Sequence, residues 1–277
     1  MKFKIVADSS IDSIKLKEVP FSTAPLKILT DDTEYVDNQD LDVNKMVNDL
    51  KSYSGKSSTC CPSVSDWLDK FEDAEHIFCI TISSSLSGSY NSANLAKEEY
   101  KTAHPDRKVF VIDSLSAGAE LKLIAEKLEE LILSGKEFYE ICKQITEYQQ
   151  TTGVLFMLES LTNLANNGRI GSATAKIAGI LGIRVIGKGS EKGTLELLEK
   201  SRGEKRAIKE LFNCLKKEGY NGGKIRVTHC LNQPLAELIA TVLKAEFGAL
   251  DIEVYATAGL CSFYAEKGGI IIGFEKN

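Results

Sequence analysis

Residues 77–96 run from a strand-forming segment through a serine-rich turn into a helix-forming segment. Residues 77–82 are apolar and largely β-branched, five serines follow within seven residues at positions 83, 84, 85, 87 and 89, and Leu95, Ala96 and Tyr100 then have helical spacing. Such a turn directs hydroxyls and unpaired backbone N–H groups to the positive end of a helix dipole, which favours a carboxylate or a phosphate. Serine is also a good N-cap residue, but capping the helix needs only one serine.

Two further strand-forming segments end in polar turns. Residues 3–6 precede the turn at 7–12, and residues 108–113 precede a serine-bearing turn and a helix that is predicted to end near residue 134. Strands that alternate with helices at this spacing predict a parallel sheet with helices on both faces. Ligands of such sheets bind beyond the carboxyl ends of the strands, so three polar turns are expected to share one crevice.

The pattern changes near residue 150, which predicts two domains, 1–150 and 151–277. Before the change we expect extended segments at 23–29 and 34–36 joined by a hairpin, helices at 41–53, from residue 63 and at 138–149, and a loop at 57–63. After it we expect strands at 154–158, 184–186, 194–198, 224–229 and 252–255, helices at 204–217 and 234–247, and a helix rich in small residues at 172–181.

Composition excludes several classes of protein. The 277 residues are 43% hydrophobic and 26% charged, as expected of a globular chain, and the net charge of −5 argues against nucleic acid or an anionic membrane as the main partner. No apolar run approaches the roughly 18 residues of a membrane span, and a strand begins at once instead of a signal peptide, so we expect a cytoplasmic protein. The seven cysteines include no CxxC pair and the three histidines have no metal-binding spacing, so no metal site is expected.

Enzyme motifs are incomplete. Residues 182–189, GIRVIGKG, nearly match a phosphate-binding loop, but Gly189 replaces the hydroxyl that would hold magnesium. The G-x-S-x-G elbow of serine hydrolases is absent, and no histidine has an evident reason to face the serines. Arg169, in a Gly-Arg turn, is either a solvated cap or a charge that meets an anion. Arg202 is either a surface residue or a contact for a partner.

Six motifs together resemble the DegV family of bacterial fatty-acid-binding proteins. They are ADSS at 7–10, TCCPS at 59–63, ISSSLSGSYNSA at 82–93, VIDS at 111–114, NGRI at 167–170 and KSRGEKRA at 200–207, and they occur in the order and approximate spacing of the family. The resemblance implies an α/β N-terminal domain with a mainly parallel sheet and an α+β C-terminal domain with a largely antiparallel sheet. It also implies that a long-chain fatty acid such as palmitate lies between them.

The resemblance further implies where the ligand and a partner bind. The carboxylate is expected at Thr59, Ser87, Gly88 and Arg169, with Asp8, Ser9, Cys60, Ser84 and Ser114 around them. Family members of this kind carry the acyl chain for a fatty-acid kinase, whose separate ATP-binding subunit phosphorylates the acid, and Arg202 is the candidate for docking or transfer. The protein would then have no catalytic residue, no metal and no cofactor besides its bound fatty acid.

Three departures from the family pattern bear on these expectations. Cys60 replaces a hydroxyl of the family's TSQPS motif, and Asn167 replaces the first glycine of GGRI. Thr257 begins a segment that stands where many members have His-x-Gly-Pro-Gly, so the histidine that the family pattern places near the phosphoryl-transfer site is missing. The alternative function is that of a stand-alone enzyme acting on a small phosphorylated or carboxylated metabolite at the serine-rich turn.

Overall fold

A computed structural model describes residues 2–13, 15–171, 182–248 and 251–276. The described strands are β1 (Phe3–Asp8), β2 (Phe21–Ala24), β3 (Lys27–Leu29), β4 (Glu34–Val36), β5 (Ser58–Cys60), β6 (His76–Thr81), β7 (Lys108–Asp113), β8 (Thr152–Leu158), β9 (Ile183–Gly189), β10 (Leu195–Arg202), β11 (Ile225–His229), β12 (Ile252–Ala256) and β13 (Ile270–Glu275). The described helices are α1 (Val43–Ser52), α2 (Val64–Phe71), α3 (Ser89–Ala103), α4 (Ala119–Leu133), α5 (Phe138–Gln149), α6 (Thr162–Asn166), α7 (Glu204–Lys217), α8 (Gln233–Phe247) and α9 (Gly259–Ala265).

The N-terminal half contains a four-stranded parallel sheet in the order β2-β1-β6-β7. Apolar residues of α4 and α5 pack on one face of this sheet, and α2 and α3 pack on the other. The helix that begins after Ser63 has the predicted capping box: Ser63 Oγ accepts from Asp66 N at 3.1 Å, and Asp66 Oδ2 accepts from Ser63 N at 2.8 Å. The predicted parallel sheet with helices on both faces is confirmed.

The C-terminal half forms a six-stranded sheet in the order β10-β9-β8-β13-β11-β12, in which only the β11–β12 pair is parallel. Apolar residues of α7 and α8 cover one face. The N-terminal end of α4 approaches β13 so closely that a Cβ at Gly273 would lie 2.4 Å from the backbone N of Glu120. Helix α4 therefore contacts both large sheets, and the largely antiparallel character expected of this sheet is confirmed.

A small antiparallel sheet, β4-β3-β5, lies beside these two. The predicted hairpin is its β3–β4 pair, but the prediction of a loop at 57–63 was wrong for residues 58–60. These residues form β5 because they pair with β3, where Thr59 faces Ile28 in the register. A three-residue strand of this kind has no pattern of its own and is defined by its distant partner.

Two elements near the C-terminus were not predicted, namely α9 and the strand β13 at the centre of the six-stranded sheet. The predicted small-residue helix at 172–181 lies outside the described residues. Within the part of the chain that the structure describes, no helix has both the length and the apolar character needed to cross a membrane.

Candidate functional site

An apolar cavity of about 810 Å³, measured with its open mouth, lies where the three sheets meet. Alternate residues of β8, namely Val154, Phe156 and Leu158, face it together with Ile271 of β13. The remaining described lining residues are Leu26, Thr59, Ile82, Leu86, Ser87, Leu115, Ser116, Ala117, Leu164, Arg169, Gly189, Gly193, Leu195, Leu260, Cys261, Tyr264 and Ala265.

Three of the residues expected to hold a carboxylate line this one cavity: Thr59, Ser87 and Arg169. They come from β5, from the turn before α3 and from the turn after α6, and they are partly buried. Two hydroxyls and a guanidinium in a largely apolar wall can bind the head group of an amphiphilic anion.

Ser87 and Gly88 lie at the start of α3. Ser87 Oγ accepts a hydrogen bond from Ser89 N at 3.2 Å, and among the described residues no acceptor is bonded to the Ser87 hydroxyl proton. This proton is therefore free to be donated to a ligand at the positive end of the helix. A Cβ at Gly88 would lie 3.2 Å from the Cys61 sulfur, so the backbone here passes close to the loop that follows β5.

Arg169 is held by backbone carbonyls of its surroundings. Its Nε donates to Leu86 O at 3.0 Å, and its Nη1 donates to Asn167 O. The Leu86 contact joins Arg169 to the serine-rich turn, next to Ser87. The guanidinium is thereby fixed in the cavity wall with its Nη2 unbonded among the described residues.

Thr59 is hydrogen-bonded to a residue that sequence reasoning missed. Its Oγ1 lies 2.8 Å from the hydroxyl of Tyr264, which is on α9 and also lines the cavity. Because neighbouring side chains on a strand point to opposite faces, Cys60 points away from this contact, and it is exposed.

Asp8 accepts hydrogen bonds from the residues that flank the serine-rich turn. It is fully buried, and its Oδ2 accepts from Ile82 N at 2.8 Å and from Ser89 Oγ at 2.6 Å, while its Oδ1 accepts from Ser10 Oγ at 2.5 Å. Burial raises the pKa of this carboxyl, and the hydrogen bonds from Ser10, Ser89 and Ile82 oppose the rise. Asp8 thus fixes the turn that presents Ser87 and does not itself line the cavity.

The other serines of the turn have different partners. Ser83 Oγ donates to Gly193 O and Ser85 Oγ donates to Lys192 O, both at 2.7 Å, so these two residues fasten the turn to the β9–β10 connection. Ser84 is exposed, and its backbone N donates to Asp113 Oδ1 at 3.0 Å. The cluster therefore divides into one serine at the cavity and several that hold the turn.

Four more residues named from the sequence lie away from the cavity lining. Ser9 Oγ accepts from Leu26 N at 3.0 Å, and Ser114 Oγ donates to Ser116 O at 3.2 Å, so both shape loops whose neighbouring residues line the cavity. Arg202 is exposed at the end of β10. Thr257 is buried and its Oγ1 lies 2.6 Å from Ser262 Oγ.

Asp37 supports α9 from its N-terminal end. It is 2% exposed, and its carboxylate accepts from Gly259 N at 2.6 Å and from Leu260 N at 2.9 Å. Burial raises the pKa of Asp37 from 3.8 to about 6, although these bonds and one from Ser9 oppose the rise. A buried carboxyl group therefore accepts hydrogen bonds from the first backbone N–H groups of the helix that carries Tyr264.

The raised pKa of Asp37 predicts a dependence of stability on pH. Because the pKa is higher in the folded state than in the unfolded chain, the folded state binds the proton more tightly. The resulting stabilisation is complete below pH 3.8 and is lost as the pH rises through about 6. We expect the free energy of unfolding of the wild type, relative to Asp37→Asn, to fall by about 2.4 kcal/mol between pH 4 and pH 8.

Urea unfolding of both proteins across this pH range measures the difference. Asp40→Asn is the matched control, because Asp40 is an exposed aspartate, and its difference from wild type is expected to be flat. If the free energy of unfolding of wild type relative to Asp37→Asn did not change with pH, or if it increased with pH, the raised pKa of Asp37 would be contradicted.

The geometry defines the class of protein: an α/β protein with an apolar cavity that has polar groups at one end. Comparison with known proteins gives its family. The model of the DegV family, whose description is of an uncharacterised protein, matches residues 2–277. A DegV domain-containing protein of Streptococcus pneumoniae strain R6 is 43% identical over 279 residues, which cover 99% of each chain. The chain belongs to the DegV family.

Solved structures of similar proteins contain fatty acids. A DegV family protein from Eubacterium eligens loaded with heptadecanoic acid is 43% identical and has a TM-score of 0.98, with 99% of this chain and 100% of that chain covered. The fatty acid kinase (Fak) B3 protein of Streptococcus pneumoniae loaded with linoleic acid is 42% identical and has a TM-score of 0.97, with both chains fully covered. The expected fold class agrees with both.

Proposed function

We propose that this protein binds a long-chain fatty acid, with the carboxylate at Thr59, Ser87, Gly88 and Arg169 and the acyl chain in the apolar cavity. The observation that carries the proposal is the cavity itself, in which Thr59, Ser87 and Arg169 place two hydroxyls and a guanidinium in a largely apolar lining. Each methylene that leaves water contributes about 0.8 kcal/mol, so the chain supplies most of the affinity and the head-group contacts fix its orientation.

We also propose that the protein presents the bound acid to the ATP-binding subunit of a fatty-acid kinase in the cytoplasm. Similarity to a fatty acid kinase B3 protein supports this role. Exposed Arg202 is the proposed contact for docking or transfer. The remaining residues named from the sequence are proposed as supports of the carboxylate site; they are Asp8, Ser9, Cys60, Ser84 and Ser114. Palmitate is the proposed ligand.

The proposed domains are 1–150 and 151–277. The strands of the parallel sheet all come from the first range, and those of the six-stranded sheet all come from the second. The cavity draws residues from both ranges, so the acyl chain would lie between the domains.

Ligand content and uptake test the function. Fatty acid is expected to co-purify from the expression host and to appear in a mass spectrum of the denatured protein, and delipidated protein is expected to take up added palmitate. An empty spectrum together with no uptake of palmitate would reject the proposal. Turnover of a small acidic metabolite without any partner protein would support the alternative enzyme instead.

Ser87→Ala is expected to weaken palmitate binding by about 1–3 kcal/mol, because the carboxylate loses a charge-assisted hydrogen bond in a water-poor site. Ser54→Ala is the matched control, since Ser54 is exposed and lies outside the cavity lining, so its dissociation constant is expected to equal that of wild type. Displacement of a fluorescent fatty acid measures both variants. Equal dissociation constants for wild type and Ser87→Ala would show that Ser87 does not contact the ligand.

A further inference from the structure

Tyr264 brings a third hydroxyl to the polar end of the cavity. Its side chain lines the cavity beside Thr59, and the two hydroxyl oxygens lie 2.8 Å apart. The contact joins positions 205 residues apart in the chain. None of the six motifs that pointed to the carboxylate site includes this tyrosine, so its role has to be argued from the geometry.

The two hydroxyls have two protons, and their mutual hydrogen bond uses one of them. A phenol, with a pKa near 10, is a stronger acid than an aliphatic alcohol, so donation from Tyr264 to Thr59 Oγ1 is the favoured direction. Thr59 then keeps its own proton for another acceptor. An ionised carboxylate only accepts hydrogen bonds, and a donor that is itself an acceptor in a chain of bonds is strengthened.

The phenol must stay protonated for this arrangement. Burial raises the pKa of Tyr264, and the hydrogen bond with Thr59 and the charge of Arg169 oppose the rise without reversing it. At neutral pH the hydroxyl therefore has its proton, and the direction of donation does not depend on ordinary changes of pH.

The ring of Tyr264 has a separate packing role. It packs against the buried group formed by Leu26, Ile82 and Leu260, and its centroid lies 4.9 Å from that of Phe263. Tyr264→Phe keeps the ring and removes only the hydroxyl. This substitution therefore separates the hydrogen bond from the wall of the cavity.

We propose that Tyr264 is a positioning residue for the fatty-acid carboxylate, which donates to Thr59 Oγ1 and so directs the Thr59 proton at the ligand. The proposal rests on the proposed function, because it requires an acid in the cavity. In this role Tyr264 acts through Thr59 and does not touch the carboxylate.

The test is a double-mutant cycle of Tyr264→Phe and Thr59→Val, with palmitate and myristate as ligands. Tyr264→Phe alone is expected to raise both dissociation constants by the same factor, about threefold to tenfold, because a head-group effect does not depend on chain length. In the Thr59→Val background the further loss is expected to vanish, because the hydroxyl that Tyr264 orients is gone.

Tyr220→Phe is the matched control. Tyr220 donates to Gly223 O at 3.1 Å and lies outside the cavity lining, so its loss is expected to leave both dissociation constants unchanged. An unchanged affinity of Tyr264→Phe would overturn this role while wild-type binding still supports the proposed function. An equal loss in the Thr59→Val background, or a loss that differs between the two acids, would overturn it as well. Failure of wild type to bind either acid would overturn both proposals.

Discussion

The Ala117→Phe variant is expected to bind palmitate about a hundredfold more weakly than wild type. Ala117 lines the cavity beside the buried group of Leu26, Ile82 and Leu260, in the apolar part of the wall. A phenyl ring at this position takes the space of about four methylenes of the ligand. Excluding them from the cavity removes about 3 kcal/mol of binding free energy, which corresponds to a factor on the order of a hundred.

Isothermal titration of delipidated protein measures this loss, and Ala103→Phe is its matched control. Ala103 is exposed at the end of α3, so the same substitution there is expected to change neither affinity nor stability appreciably. For a shorter acid such as octanoate, Ala117→Phe is expected to reduce the binding free energy less than it does for palmitate, because the shorter chain fills less of the cavity. Undiminished binding of palmitate would place the acyl chain elsewhere.

Much of the fold could be predicted because its signals are local. The apolar strands β1, β6 and β7 and the amphipathic helices between them are recognisable in windows of ten to fifteen residues. Strand β13 was missed although residues 270–274, IIIGF, form a short apolar run that follows two glycines, which is a usual pattern of a buried strand. By contrast, β5 has no such pattern, because three residues form a strand only where β3 pairs with them.

The site was predictable in part for the same reason. The serine-rich turn marks a helix start, but the sequence does not show which serine faces the cavity. Ser83 and Ser85 bond to the β9–β10 connection more than a hundred residues away, and Ser89 bonds to Asp8. Only the tertiary structure separates these residues from Ser87.

Tyr264 shows more clearly which site residues cannot be predicted from the sequence. It lies in a helix of seven residues, which is too short for a clear periodic pattern, and its partner Thr59 is on a strand that is itself defined by a distant partner. Asp37, which supports the start of that helix, is one of 39 acidic residues and has no neighbouring motif. Contacts that join three separate parts of the chain leave no signal in any one of them.

Asp8→Ala is expected to lower the free energy of unfolding by about 3 kcal/mol. The substitution leaves the buried Ile82 N–H and the Ser89 hydroxyl without their acceptor, and each such unsatisfied donor costs about 1–3 kcal/mol. Relief from burying the carboxylate, whose pKa is raised by that burial, offsets part of the loss. Palmitate affinity is expected to fall too, because the turn that presents Ser87 is no longer anchored.

Chemical denaturation and palmitate titration of the same samples separate these two effects. Asp40→Ala is the matched control: Asp40 is exposed, and its substitution is expected to change stability by less than about 0.5 kcal/mol. Ser89→Ala removes one of the donors together with its bond to Asp8. Its free energy of unfolding is expected to lie between those of Asp8→Ala and Asp40→Ala. If Asp8→Ala were no less stable than Asp40→Ala, the buried carboxylate would not be what fixes the serine-rich turn, and the placement of Ser87 would have to depend on the contacts of Ser83 and Ser85 instead.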